Sequence, residues 1–147
     1  MINYQKILNK NMINVLIEIL QNIKKNGLKN GNHLYITFIT NHPSVSIPDW
    51  LLKKYPEEMT IVIQYEYYNF SINKNNFKIG LSFNDIKVDL IIDYKSIISF
   101  VDPNSNFGLK LKSNEFKKTK NKKMQKTTKI KKQRSNNVID FTNYKKI

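Results

Sequence analysis

Gly27-Leu28-Lys29-Asn30-Gly31-Asn32-His33-Leu34-Tyr35-Ile36-Thr37-Phe38-Ile39-Thr40 is the stretch where the sequence changes period. Before it, apolar side chains fall at Ile7, Leu8, Met12, Val15, Leu16, Ile19, Leu20 and Ile23, a spacing of three and four that places them on one face of a helix over Tyr4 to Lys25. Gly27 supplies the stop, and Lys24 and Lys25 sit in the last turn, where the helix dipole favours cations. After the turn signal Asn30-Gly31-Asn32, His33 to Thr40 alternates and is rich in β-branched and aromatic residues, as a half-buried strand requires. Ile13 and Ile17 fall outside the main stripe and widen it. They are either a deeper core contact or a surface that packs against a second copy.

Beyond this stretch the pattern is one of short strands. Asn41, His42 and Pro43 break the first; Val45 to Ile47 resumes extended structure, and Pro48 opens a short helical turn over Asp49 to Tyr55. Met59 to Tyr68, Asn76 to Phe83 and Ile86 to Asp93 read as three further strands, the last two joined by a tight turn at Asn84-Asp85. A short element at Tyr94 to Ser96 leads to a strand over Ile97 to Val101, stopped by Asp102-Pro103, and Phe107 to Leu111 reads as an edge strand. One helix followed by short strands predicts an α+β domain over residues 1–112, built on a strongly bent sheet or small barrel. Residues 113–137 differ in kind: Phe116, Met124 and Ile130 are their only large apolar residues, and ten of the 25 are Lys or Arg. Such a segment buries too little surface to offset its ordering entropy, so a disordered, flexible basic linker is expected. Residues 138–147, from Val138 to Ile147, recover apolar and aromatic character, which reads as a docking motif at the end of a leash.

The 147 residues suffice for one domain with a real core. There is no cysteine, so disulfides and thiolate metal sites are excluded. No apolar run approaches the roughly 18 to 20 residues of a membrane span, which leads to the expectation of a cytoplasmic protein without a membrane partner. The net charge of +14 points ordinarily to a polyanion. However, the chain holds 24 Lys, 21 Asn and 21 Ile with Arg134 as its only arginine, the signature of AT-rich codons. Residues 1–112 carry 13 Lys against nine acids, and residues 113–147 carry 12 Lys or Arg against two. Basicity belongs to the tail, and nucleic acid is the less favoured partner.

Catalytic constellations are scarce. His33 and His42 have no third ligand at a metal-site spacing, and neither begins a catalytic dyad. Gly27, Gly31, Gly80 and Gly108 are isolated, so no phosphate-cradling loop can be drawn. Glu57-Glu58 reads as a solvated turn rather than an acid-base pair. No enzymatic activity, cofactor or metal is expected. What remains is surface: Gln64 to Phe70 interleaves polar and aromatic groups, while Gly80 and Ser82 share one strand face opposite Ile79, Leu81 and Phe83. A Gly/Ser face lets another backbone approach closely, whether a core element or a bound peptide.

The runs His33 to Phe38, Val45-Ser46-Ile47-Pro48 and Tyr55-Pro56-Glu57-Glu58-Met59-Thr60-Ile61-Val62-Ile63-Gln64 resemble the alphaproteobacterial branch of the stringent starvation protein B (SspB) family. Leu81-Ser82-Phe83, Ile97-Ile98-Ser99-Phe100-Val101-Asp102-Pro103 and Phe107-Gly108-Leu109 continue the likeness in order. Val138-Ile139-Asp140-Phe141 and Tyr144-Lys145-Lys146 are similar to the family's ClpX-docking motif. The resemblance implies an N-terminal helix packed on an Sm-like β-sandwich and a homodimer formed through that helix, where Ile13 and Ile17 are the candidates. It also implies an adaptor that grips ssrA-tagged polypeptides and tethers them to the ClpXP protease through the ClpX N-terminal domain. Tag recognition is placed at Gln64, with Gly80 and Ser82 as companions on the neighbouring strand, and ClpX binding at Val138, Ile139, Asp140, Phe141, Tyr144 and Lys145. The rival expectation is an RNA-binding module with a basic C-terminal arm. It accounts for the charge but not for the apolar last ten residues.

Overall fold

The computed structural model describes residues 1–29 and 31–112. The expected linker 113–137 and docking segment 138–147 lie outside the described residues. Helix α1 spans Tyr4–Asn26. Asn3 caps its start by accepting the Lys6 N–H at 3.0 Å, and Gly27, at φ 75°, closes it with an N–H bond to the Ile23 carbonyl at 2.7 Å. Only Met12, Leu16, Leu20 and Ile23 are buried, while Ile13, Ile17 and Ile19 are half-buried against the core. Ile7, Leu8 and Val15, which the periodicity places on the apolar face, are exposed. The reason is angular: at about 100° per residue, Val15 and Leu8 lie roughly 80 to 100° from Leu16 and Ile7 about 180° from it.

Among the described residues, seven strands form two antiparallel sheets: β1 (Leu34–Ile39), β2 (Glu58–Ile63), β3 (Tyr68–Ile72), β4 (Asn76–Phe83), β5 (Ile86–Asp93), β6 (Ile97–Asp102) and β7 (Phe107–Lys110). The first sheet runs β2-β1-β6-β7 and the second β3-β4-β5. A short helix, α2 (Asp49–Lys54), follows Pro48, and Ser46 bridges to Ile91 on the free side of β5. Together with α1 the sheets make an α+β, barrel-like sandwich. Its core holds Phe38, Phe77 and Phe100 at zero exposure, with Leu16 and Leu20 of α1 reaching the same cluster. Burial of such side chains contributes about 1.5 to 3 kcal/mol each, which makes this cluster the main support of a cysteine-free chain.

The single strand expected over Met59 to Tyr68 is corrected: β2 stops at Ile63, and residues 64–67 carry the chain into the second sheet, where β3 begins at Tyr68. The buried positions move from odd (Met59, Ile61, Ile63) to even (Phe70) across this stretch. A strand that stayed in one sheet would keep its parity. The Asn84-Asp85 turn is as expected: φ is 55° and 68°, the two left-handed residues of a type I′ hairpin, and all eight pairs from Asn76–Asp93 to Phe83–Ile86 are in register.

Candidate functional site

Between the two sheets lies a cleft of about 720 Å³. One wall is Thr60 to Val62 of β2, the other Leu81 to Phe83 of β4, and residues 64–67 with Tyr68 close it where the chain crosses between sheets. Gln64 is half-buried and Ser82 exposed, and both line this cleft. Two of the three residues singled out for peptide binding are thus brought together, Gln64 from the crossing after β2 and Ser82 from β4.

Gly80 is placed differently. It is buried, and a Cβ there would overlap the Tyr68 ring, which lies across the strand at this point. Tyr68 pairs with Gly80 at the start of β3, and the register then shifts before Ser71. Its hydroxyl donates to the Leu81 carbonyl at 3.2 Å. Asn69, at φ 46°, donates from its amide to Asp89 Oδ1 at 3.3 Å, fixing the bend that lays the ring down. Lys87 Nζ stands 5.3 Å from the ring centroid. Desolvation first, and the Asp89 carboxylate second, push the Tyr68 phenol above its ordinary pKa. The absent side chain at Gly80 therefore admits a wall of the cleft, and the lining residue absent from the sequence-based candidates is Tyr68. Its signal was available: a glycine in a strand implies a close approach, and an aromatic-rich stretch just upstream supplies the partner.

Tyr65 is 81% exposed on the cleft's rim. Ile13 and Ile17 are half-buried against the core. On the other flank of α1, the exposed Tyr4, Leu8 and Val15 continue into a second, mainly apolar groove of about 640 Å³, which includes Val15, Ile19, Ile23 and Phe107. His33 Nδ1 sits 3.1 Å from the Gly31 carbonyl, and His42 Nδ1 accepts the Ser44 N–H at 3.1 Å, so both serve local turns. Among the described residues no three His, Cys, Asp or Glu side chains are grouped to hold a metal, and no helix is long and apolar enough to cross a membrane. Val138, Ile139, Asp140, Phe141, Tyr144 and Lys145 lie outside the described residues.

The family model described as stringent starvation protein B matches residues 7–145, which takes in most of the described residues and nearly all of those that follow them. The chain belongs to the SspB family. Compared with curated proteins, it finds no match. Membership in the SspB family supports a ClpXP-adaptor-type role in general terms. In this SspB-family chain the cleft is walled by β2 of one sheet and β4 of the other.

Proposed function

We propose that this SspB-family chain binds ssrA-tagged polypeptides in the cleft between β2 and β4 and tethers them, through residues 138–147, to the N-terminal domain of ClpX. The observation that carries the reading is the convergence of Gln64 and Ser82 on one cleft whose walls are strand edges. Gln64 ends the β2 wall, where its amide can both donate to and accept from a peptide main chain. Gly80 contributes indirectly, by making room for Tyr68.

No chemistry is required. The adaptor turns a bimolecular encounter between substrate and protease into a nearly intramolecular one. A flexible leash of about 25 residues has a root-mean-square span of roughly 25 to 30 Å, so the effective concentration reaches the millimolar range. Two modest contacts then suffice, and the tag contact must stay modest so that the tag can pass to the unfoldase. Self-association through α1 completes the proposal, with the exposed flank at Leu8 and Val15 as its centre and Ile13 and Ile17 as the alternative flank.

The test is binding of a fluorescent ssrA-type peptide, with a single-stranded RNA of equal length as competitor at physiological salt. Saturable peptide binding that the RNA does not displace is expected. The cleft's described lining carries one lysine, Lys87, against one glutamate, Glu66, which gives a phosphate backbone no net attraction. Displacement by RNA would favour the RNA-binding module instead.

A further inference from the structure

The groove beside α1 is separate from the proposed tag site and shares no lining residue with the cleft between β2 and β4. It follows the second half of the helix, from Val15 through Ile19 and Ile23 to Gly27, and is bounded across from it by Leu34 of β1 and Phe107 of β7. The turn between β6 and β7 borders it, tied to the loop before β1 by Asn104 Nδ2 donating to Asn32 Oδ1 at 2.9 Å. Charge on its lining comes from Glu18 and Asp102 against Lys29, a net of one negative charge. The described chain stops beside the same helix. Leu111 is buried and donates its N–H to the Ile98 carbonyl at 2.8 Å. The next carbonyl, that of Lys112, accepts from Asn9 Nδ2 of α1 at 3.2 Å, and Gln5 Nε2 donates to Asn9 Oδ1 at 2.9 Å, which orients that amide. At about 1.5 Å per helical residue, the groove from Val15 to Asn26 lies roughly 9 to 26 Å along α1 from this exit. Residues 113–137, read from the sequence as a leash, have a root-mean-square span of roughly 25 to 30 Å. The groove is therefore within reach of the segment that follows them.

We infer that residues 138–147 dock in the groove of their own chain whenever no other partner holds them, with Val138, Ile139, Phe141 and Tyr144 covering the apolar lining between α1 and Phe107. Composition selects this occupant: Val138, Ile139, Phe141, Tyr144 and Ile147 are large and apolar or aromatic, whereas the 25 residues before them hold only Phe116, Met124 and Ile130. Charge agrees, since Lys145 and Lys146 against Asp140 give the segment one net positive charge to set against the groove's one negative. Reach agrees as well, because effective concentration is greatest when the span of a leash matches the distance to be bridged. A contact with a Kd of about 1 mM, too weak to join separate molecules at micromolar concentration, is then populated about half the time. A docked segment is withheld from every other partner, whose apparent affinity falls about twofold. The fold thus carries a mild self-inhibitory contact that covers both an exposed groove and an apolar chain segment. It depends neither on tag binding nor on ClpX as the segment's partner. Leu8, on the proposed self-association flank, is outside the lining, so a second copy and the segment compete only at Val15.

The test uses the full chain, which has no cysteine and so takes a single nitroxide label at Asn137→Cys, just before the segment. Amide NMR intensities are compared with the label oxidised and reduced, in nitrogen-labelled chain diluted into an excess of unlabelled, unmodified chain so that only contacts within one molecule are read. The expected result is loss of the Glu18, Asn22, Gly27 and Ser105 signals, which line the groove, with those of Ser82 and Lys87 in the cleft retained. Loss confined to residues next to Lys112, the pattern of a leash that settles nowhere, overturns the proposal. So does loss at the cleft in place of the groove, or loss at the groove that disappears on dilution and therefore arises between chains. Adding Ile139→Lys with Phe141→Lys to the labelled chain should restore the groove signals, and their continued loss overturns the apolar contact. Both substitutions fall outside the described fold, so the result does not depend on a destabilised core.

Discussion

At Gly80 the fold depends on a missing side chain. A methyl group there collides with the Tyr68 ring, and the ring cannot swing away without losing its hydroxyl bond to the Leu81 carbonyl. Gly80→Ala is therefore expected to cost about 1 to 3 kcal/mol in urea unfolding and to weaken peptide binding about tenfold. Tyr68→Phe keeps the ring and should cost only about 1 kcal/mol with a smaller effect on the peptide. Equal behaviour of Gly80→Ala and wild type in both assays would show that Tyr68 is not a wall of the site. Tyr94 gives a second residue-scale prediction. It is buried, stacked 6.2 Å from Phe77, and its hydroxyl donates to the Asn73 carbonyl at 3.0 Å. Burial pushes its phenol up to about 12. Above the ordinary value near 10 an unfolded chain loses this proton while the folded one keeps it, so the contribution to stability is complete below pH 10 and is lost as pH rises toward 12. Urea midpoints across that window should fall more steeply for wild type than for Tyr94→Phe.

The helix α1 has one face for the core and two flanks, and the flanks differ. Ile13 and Ile17 are half-buried on the core, whereas Leu8 and Val15 are exposed beside the groove that reaches Phe107. Exposed apolar flanks of this kind mark association surfaces. Leu8→Lys with Val15→Lys should leave a folded chain that sediments as a monomer, because neither side chain belongs to the core. Ile13→Lys with Ile17→Lys should instead lower stability by about 1 to 3 kcal/mol, since two charges must be carried beside packed core residues. The opposite result, a stable monomer from the second pair and an unchanged dimer from the first, would move the interface to the Ile13 and Ile17 flank.

For the whole molecule, the proposed division of labour predicts that its two contacts separate. Removing residues 138–147 should abolish ClpX docking with tag affinity unchanged, and Gln64→Ala should weaken the tag contact about tenfold with ClpX docking unchanged. Replacing residues 113–137 by Gly/Ser of equal length should leave delivery largely intact, because only reach and flexibility enter the tether argument. The readout is degradation of a tagged substrate well below its unassisted KM, beside a peptide-binding assay. Loss of tag affinity on truncation would make the terminal segment part of the binding domain. Loss of delivery on linker replacement would assign the lysines a partner.

Local chemistry is enough to determine much of this protein from its sequence. The helix period from Tyr4 and its stop at Gly27 are set within a few residues, as are the alternation of β1 and the Asn84-Asp85 hairpin with its two left-handed residues. The runs around Tyr55 to Gln64 likewise carried the family, which the match over residues 7–145 shows. The site was legible only in part. Gln64 and Ser82 converge on the cleft, but nothing local distinguishes one long strand over Met59 to Tyr68 from two strands in different sheets. That choice depends on which long-range partners, β1 or β4, compete for each half of the segment. The same competition leaves the edges of β2 and β4 open toward each other, lays Tyr68 over Gly80, and exposes one flank of α1 while covering the other. Periodicity marks which side chains are apolar; only the packed structure decides which of them meet a neighbour, and which strand edges are left without one.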